Sequence, residues 1–234
     1  MNKSLEGEIA LVTGASRSIG KAIAEQLAAN GATVIGTATT DKGAEAIGAY
    51  LKDSGGKGMC LNVTDKDSVA AVIKQITDEF GAVSILVNNA GITKDNLLMM
   101  MKEEQWDLVI NTNLKSVFNV CKAAARPMVR RKAGGRIINI TSINGLRGKF
   151  GQSNYSAAKA GVQAMAVVWA KEFARYGIRV NTISPGFIGT DILNAMKPEA
   201  LAKLTAMIPA GRVGDPDEIA HTVQYLLEND YVNG

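Results

Sequence analysis

Ile9-Ala10-Leu11-Val12-Thr13-Gly14-Ala15-Ser16-Arg17-Ser18-Ile19-Gly20 passes from four apolar residues through a glycine turn into a new periodicity. A short apolar run bounded by a turn reads as a buried strand. Beyond the turn, Ile19, Ile23 and Leu27 recur every fourth position while Lys21, Glu25 and Gln26 fall elsewhere, and Asn30-Gly31 supplies a stop, so a helix with one apolar face follows. A strand, a tight turn and a helix opening a βαβ unit aim backbone N–H groups and a helix N-terminus at one point, which suits a pyrophosphate. A glycine turn after a strand is by itself often only a turn; its position gives it weight. It is not the nucleoside-triphosphate loop, because five residues rather than four separate Gly14 from Gly20 and Ala22, not Ser or Thr, follows Lys21.

Working outward, further short apolar runs at Thr33–Thr37, Gly58–Leu61, Ser84–Val87, Arg136–Ile140 and Arg179–Ile183 alternate with longer helical stretches. Right-handed crossovers then predict an α/β, Rossmann-like doubly wound parallel sheet with helices on both faces and ligands at the carboxyl ends of its strands. Near the end, Asp215-Pro216-Asp217-Glu218 carries an N-cap acid, a first-turn proline and Glu at the third position, predicting a helix to about Leu227. No repeat or linker interrupts the pattern, so residues 1–234 are expected to form one domain.

Composition narrows the function classes. With 47% hydrophobic and 21% charged residues the chain is neither disordered nor membrane-spanning in character. Ile9–Val12 is too short for a signal peptide, so a cytoplasmic location is expected. Cys60 and Cys121 lie far apart without a C-x-x-C or Cys/His cluster, which argues against a disulfide framework or a metal site and for two buried thiols. His221, the single histidine, is expected at the surface. A net charge of +4, spread along the chain, gives little support to nucleic-acid binding.

The second strand ends in Gly36-Thr37-Ala38-Thr39-Thr40, without the acid that would hold a ribose 2′-hydroxyl; Arg17 and Thr39 suit a 2′-phosphate instead, so NADP is the expected cofactor. Tyr155-Ser156-Ala157-Ala158-Lys159 opens a helical segment with a phenol and an ammonium on one face. Such spacing is common on exposed helices. A neighbouring ammonium is nevertheless expected to lower the phenol's pKa toward a range useful for proton donation to a carbonyl. Ser142, just past the fifth strand, is expected at the sheet's carboxyl edge beside the same carbonyl oxygen. It lacks a G-x-S-x-G elbow, and nothing near it suggests a hydrolytic triad.

Taken in order, Gly14–Gly20, Asn88-Asn89-Ala90-Gly91, Asn113, Ser142, Tyr155-x-x-x-Lys159 and Pro185-Gly186 closely resemble the short-chain dehydrogenase/reductase family. Val34-Ile35-Gly36-Thr37-Ala38-Thr39, the run from Asn89 to Met99 and the run from Gly151 to Gly161 are similar to its 3-oxoacyl-[acyl-carrier-protein] reductases of bacterial fatty acid synthesis. The resemblance covers nearly the whole chain. It implies hydride transfer from NADPH, with Tyr155 as proton donor, Lys159 tuning it and holding the nicotinamide ribose, Ser142 orienting the carbonyl and Asn113 supporting a water relay. It places Gly14, Ala15, Ser16, Arg17, Ser18, Ile19 and Gly20 on the pyrophosphate side, Asn62 and Val63 at the adenine, and Asn89, Ala90 and Gly91 along the adenosine ribose. Pro185, Gly186, Ile188 and Thr190 fall at the nicotinamide, Gln152 in the acyl pocket, and Thr190 to Ile208 in a mobile lid.

The implied partner is acyl carrier protein, for which Arg130, Arg131, Lys132 and Arg175 offer a basic rim near the site, and the implied assembly is a homotetramer; the long fourth and fifth helices, with Ala- and Val-rich stretches such as Ala160–Ala170, suit a helix-packed interface. Two features depart from the family pattern. Ser18 stands where the middle glycine of the loop is usual, so weakened cofactor binding is expected. Tyr231-Val232-Asn233-Gly234 resembles the turn before a last strand, so the final strand of the sheet is expected to be missing. A related reductase of 3-oxoacyl-coenzyme A or another carbonyl substrate, and a catalytically impaired NADP-binding interaction protein, stand as alternatives.

Overall fold

A computed structural model of the chain describes residues 4–190 and 196–234. Six strands, β1 (Ile9–Val12), β2 (Thr33–Ala38), β3 (Lys57–Cys60), β4 (Ile85–Asn88), β5 (Gly135–Ile140) and β6 (Ile178–Ile183), form one sheet in the order β3-β2-β1-β4-β5-β6. Every pairing is parallel. The six expected strands are all present, with ends displaced by a residue or so, as hydrogen-bond assignments allow. Strand order reverses between β1 and β4, so the loops that follow these two strands part there and leave a crevice at the carboxyl edge.

Helices α1 (Ser18–Ala29), α2 (Asp41–Leu51), α3 (Lys66–Glu79), α4 (Glu103–Ile110), α5 (Ser116–Arg131), α6 (Asn144–Arg147), α7 (Ser153–Phe173), α8 (Pro198–Ala206) and α9 (Pro216–Glu228) complete the described chain. Strands buried on both faces need cover on both sides. Ile23, Leu27, Ile47, Val223 and Leu227 pack with Val12 and Val34 on one face, bringing α1, α2 and α9 together. Val69, Ile73, Val120, Ala124, Val162 and Ala166 pack with Leu11, Leu86 and Ile137 on the other, from α3, α5 and α7. Each core residue was placed on its face by the alternation along its strand.

The predicted ends of α1 and α9 hold. Asn30 caps α1 and Gly31 follows at φ 97°. Asp215 accepts from Asp217 N (3.0 Å) while Glu218 accepts from Asp215 N (2.7 Å), closing the capping box at α9. At the other end of α9 the Arg179 guanidinium donates to the carbonyls of Leu226 (2.8 Å) and Leu227 (3.0 Å), a cation on unsatisfied helix acceptors. His221 is exposed and Cys121 buried, as expected; Cys60, expected to be buried, is exposed at the carboxyl end of β3, an edge strand of the sheet.

Candidate active site

The crevice between β1 and β4 is floored by the glycine loop. Gly20 lies so close to the preceding turn that a Cβ there would stand 2.1 Å from the Gly14 carbonyl oxygen, so the helix start can approach the loop only with glycine at this position. Asn89 holds the loop from the other side, donating through Nδ2 to the carbonyls of Thr13 (3.1 Å) and Gly14 (3.0 Å). Thr13 Oγ1 accepts from the backbone of Asn89 (3.0 Å) and Ala90 (3.1 Å), and Tyr50 of α2 donates to the Ala15 carbonyl (2.7 Å). The loop is therefore preorganised, and Asn89 acts on it first of all as a brace. Ser16 and Arg17 are exposed at the mouth, with Arg17 at the N-cap of α1. Ser18 adopts φ 48°, the left-handed conformation that the expected glycine would adopt without strain.

Around the crevice, Thr39 is exposed just past β2, and no Asp or Glu lies between β2 and Asp41. Asn62 is exposed past β3, its Oδ1 accepting from Thr64 N (3.1 Å), while Val63 turns into the core. Gly91 opens past β4; a Cβ built there would lie 3.3 Å from Asn113 Oδ1 and 3.6 Å from Lys159 Nζ, so a bare backbone cradle faces those two polar groups. A loop of N–H donors at a helix start and an open cradle beside an ammonium fit an extended dinucleotide. Pro185 is buried and its carbonyl accepts from Ile143 N (3.1 Å), which seats the Pro185-Gly186 turn beside Ser142. Ile188 and Thr190 follow on a segment tied down by Gly189 N to the Gly214 carbonyl (2.8 Å). Of the expected lid, 191–195 lie outside the described residues; beyond them α8 carries no buried side chain.

Asn113, Ser142, Tyr155 and Lys159 converge on this edge. Asn113 sits in a π turn, Asn111–Lys115, between α4 and α5, fully buried, with Oδ1 accepting from Ile92 N (2.9 Å) and Nδ2 donating to the Ile92 carbonyl (2.7 Å). Such one-turn π segments are frequent at functional sites. Lys159 is buried and donates to the Ile140 carbonyl (2.8 Å), and burial brings its pKa down to about 8. Its Nζ stands 5.7 Å from the centre of the Tyr155 ring. Ser142 Oγ accepts from Asn144 N (3.2 Å), and the Ser142 hydroxyl lies near enough to the Tyr155 phenol to act on its pKa.

One expectation is corrected here. The Tyr155 phenol stands above its ordinary pKa, not below it: burial raises it, the Ser142 hydroxyl pulls it down, and the charge of Asp95 raises it again. The ammonium expected to lower it is engaged with Ile140, one strand end away. A second correction concerns the basic rim. α5 and α7 run back against the strands, so Arg130, Arg131, Lys132 and Arg175 lie at the amino edge of the sheet, opposite the site, where Arg131 meets Glu8 (3.2 Å) at the start of β1.

Gln152 is buried and bridges two residues that the motif reading missed, donating to Asp95 Oδ2 (2.8 Å) and accepting from Asn144 Nδ2 (3.0 Å). Asn154, also missed, ties the Lys94 and Gln105 carbonyls (3.1 Å each) to the start of α7. Only their adjacence in sequence to Tyr155 and to the Asn89–Met99 run pointed toward them.

Comparison with known proteins agrees with this geometry. The profile of the family described as Enoyl-(Acyl carrier protein) reductase matches residues 14–234. The chain is 56% identical over 233 residues to the 3-oxoacyl-[acyl-carrier-protein] reductase FabG of Vibrio cholerae, covering 99% of this chain and 95% of that one. It is 53% identical to the protein of that name from Escherichia coli and 47% identical to the one from Pseudomonas aeruginosa, with the same two coverages. With the ordered site residues, the parallel six-stranded sheet and these likenesses together, the chain belongs to the short-chain dehydrogenase/reductase family.

Proposed function

We propose that this chain reduces the ketone of 3-oxoacyl thioesters carried on acyl carrier protein to the 3-hydroxyacyl form, with NADPH, in fatty acid biosynthesis. The observation that carries the reading is the convergence of Ser142, Tyr155 and buried Lys159, whose Nζ stands 5.7 Å from the Tyr155 ring centre, at the carboxyl edge where the Gly91 cradle opens. Two O–H groups at one site suit an oxygen that gains negative charge, as a ketone does on reduction. The matched family profile is described by enoyl reduction, whereas the relatives above are named for 3-oxoacyl reduction, and the two hydroxyls favour the ketone.

The family implies a nicotinamide cofactor, which when bound supplies a hydride to C3 of the substrate. Arg17 and Thr39, with no acid at the end of β2, favour the 2′-phosphate of NADPH. Gly14 to Gly20 would hold the pyrophosphate, Asn62, Val63 and Asn89 to Gly91 the adenosine half, and Lys159, Pro185, Gly186, Ile188 and Thr190 the nicotinamide half. Tyr155 gives its phenolic proton to the ketone oxygen while Ser142 donates a hydrogen bond to the same oxygen. The phenol is protonated at neutral pH and so is available as the donor. Lys159 and Asn113, both facing the Gly91 cradle, support return of a proton to the phenolate. Gln152 lines the acyl side. Trp106 and Leu108 of α4, Phe118 of α5 and Val167 and Val168 of α7 present exposed apolar surface that favours a homo-oligomer, a tetramer by the family resemblance. Among the described residues no helix is long and apolar enough to cross a membrane, and a cytoplasmic setting suits a diffusing carrier.

The test is NADPH oxidation with acetoacetyl groups on acyl carrier protein and on coenzyme A. Tyr155→Phe should lower kcat by roughly 100-fold or more while leaving NADPH binding in place. Undiminished turnover in that variant would overturn the reading, and a higher kcat/KM on coenzyme A would transfer it to that carrier.

A further inference from the structure

Ser142 is the end of a hydrogen-bonded chain that begins at a carboxylate. Asp95, in the loop between β4 and α4, accepts from Gln152 Nε2 (2.8 Å); Gln152 Oε1 accepts from Asn144 Nδ2 (3.0 Å); and Asn144 N donates to Ser142 Oγ (3.2 Å). The chain has a direction. An ionised carboxylate only accepts, so it dictates which end of the Gln152 amide faces it, and the oxygen is then left for Asn144. Gln152 is 4% exposed and cannot exchange either partner for bulk water. A hydroxyl has a single proton, and because Ser142 Oγ receives one from Asn144 N, its own points away from that contact, toward Tyr155 and the space in front of it.

We propose that Asp95 is a positioning residue of this site: through Gln152 and Asn144 it fixes the Ser142 hydroxyl, and its carboxylate charge acts on the Tyr155 phenol. The inference rests on the roles of Tyr155 and Ser142 given above. The carboxylate is held where it acts, since Asn96 N donates to the Gly151 carbonyl (2.9 Å) and Asn154 Nδ2 to the Lys94 carbonyl (3.1 Å), on either side of it. Two side chains act on the phenol's pKa, Asp95 from the loop after β4 and Ser142 from the segment after β5, while Lys159, one turn along α7, stands with its Nζ 5.7 Å from the ring centre. Of these, Asp95 raises the phenol's pKa and Ser142 lowers it.

The experiment is the pH dependence of kcat/KM for a short acetoacetyl thioester in wild type, Asp95→Asn, Asp95→Glu and Asn144→Ala, with Tyr155→Phe alongside. Removing the charge should let the phenol ionise earlier, so Asp95→Asn should move the alkaline limb down by roughly half a pH unit or more and lower kcat several-fold. Asp95→Glu, which keeps the charge, should leave the limb near its wild-type position. Asn144→Ala, which cuts the chain but spares the carboxylate, should lower kcat with the limb in place. An unmoved limb in Asp95→Asn, whether the rate is intact or reduced, or an undiminished kcat in Asn144→Ala, would overturn the proposal while an inactive Tyr155→Phe leaves the reductase reading standing. Persistent turnover in Tyr155→Phe would overturn both.

Discussion

Ser18 shows how one side chain can matter at a turn that is otherwise all backbone. At φ 48° it bears a Cβ in the left-handed region, which costs an L-residue about 1 kcal/mol or more relative to glycine. Its side chain also stands at the start of α1, where phosphate oxygens would approach. Ser18→Gly should therefore tighten NADPH binding by roughly two- to tenfold, an energy of about 1 kcal/mol, measured by fluorescence titration; unchanged affinity would mean that the hydroxyl is tolerated or itself contributes. Tyr155 makes the complementary point. Its spacing from Lys159 places both groups at one site, yet the pKa of the phenol follows from what surrounds it: burial, Ser142 and Asp95, contributed by different elements.

Strands and helices were the best-read features, because apolar periodicity and capping residues are local signals: β1 to β6, the stop of α1 and the capping box of α9 all follow from neighbours in the chain. How closely two elements approach is not local. β3 meets α2 so tightly that a Cβ on Gly58 would lie 1.8 Å from the Ala44 carbonyl oxygen. Neither residue announces this, since a glycine in a strand usually reads as a weakness. Gly58→Ala should cost roughly 1–3 kcal/mol by forcing α2 off the sheet, seen as a lower midpoint in urea unfolding; an unchanged midpoint would show that the helix gives way freely. The same limitation explains the basic rim: Arg130, Arg131, Lys132 and Arg175 end long helices, and only the antiparallel run of those helices against the strands sends them to the far edge.

At that far edge the whole molecule is tied together by charge. Glu8, entering β1, pairs with Arg136 of β5 (2.8 Å) and Arg131 of α5 (3.2 Å). Burial alone would raise its carboxyl, but the nearby Ser84 hydroxyl, the hydrogen bond from Arg136 and the two guanidinium charges hold it below its ordinary 4.5. A carboxyl depressed by folding contributes stability above pH 4.5 and loses it as the pH falls through the folded value. Glu8→Gln should thus lower the melting temperature by roughly 2–5 °C at pH 7, with the gap to wild type closing as the pH falls below 4.5; a gap independent of pH would assign the loss to packing. The sheet's strand content, its parallel sense, the glycine loop and the Tyr155–Lys159 pair could all be read from the chain alone, because each is specified by residues within about one turn or one strand of each other. The direction of Tyr155's pKa shift, the Asp95–Gln152–Asn144 chain, the brace of Asn89 on the glycine loop and the Glu8 cluster belong to the tertiary structure. They join residues 8 to 128 positions apart, and only the winding of the sheet decides which of many possible polar partners actually meet.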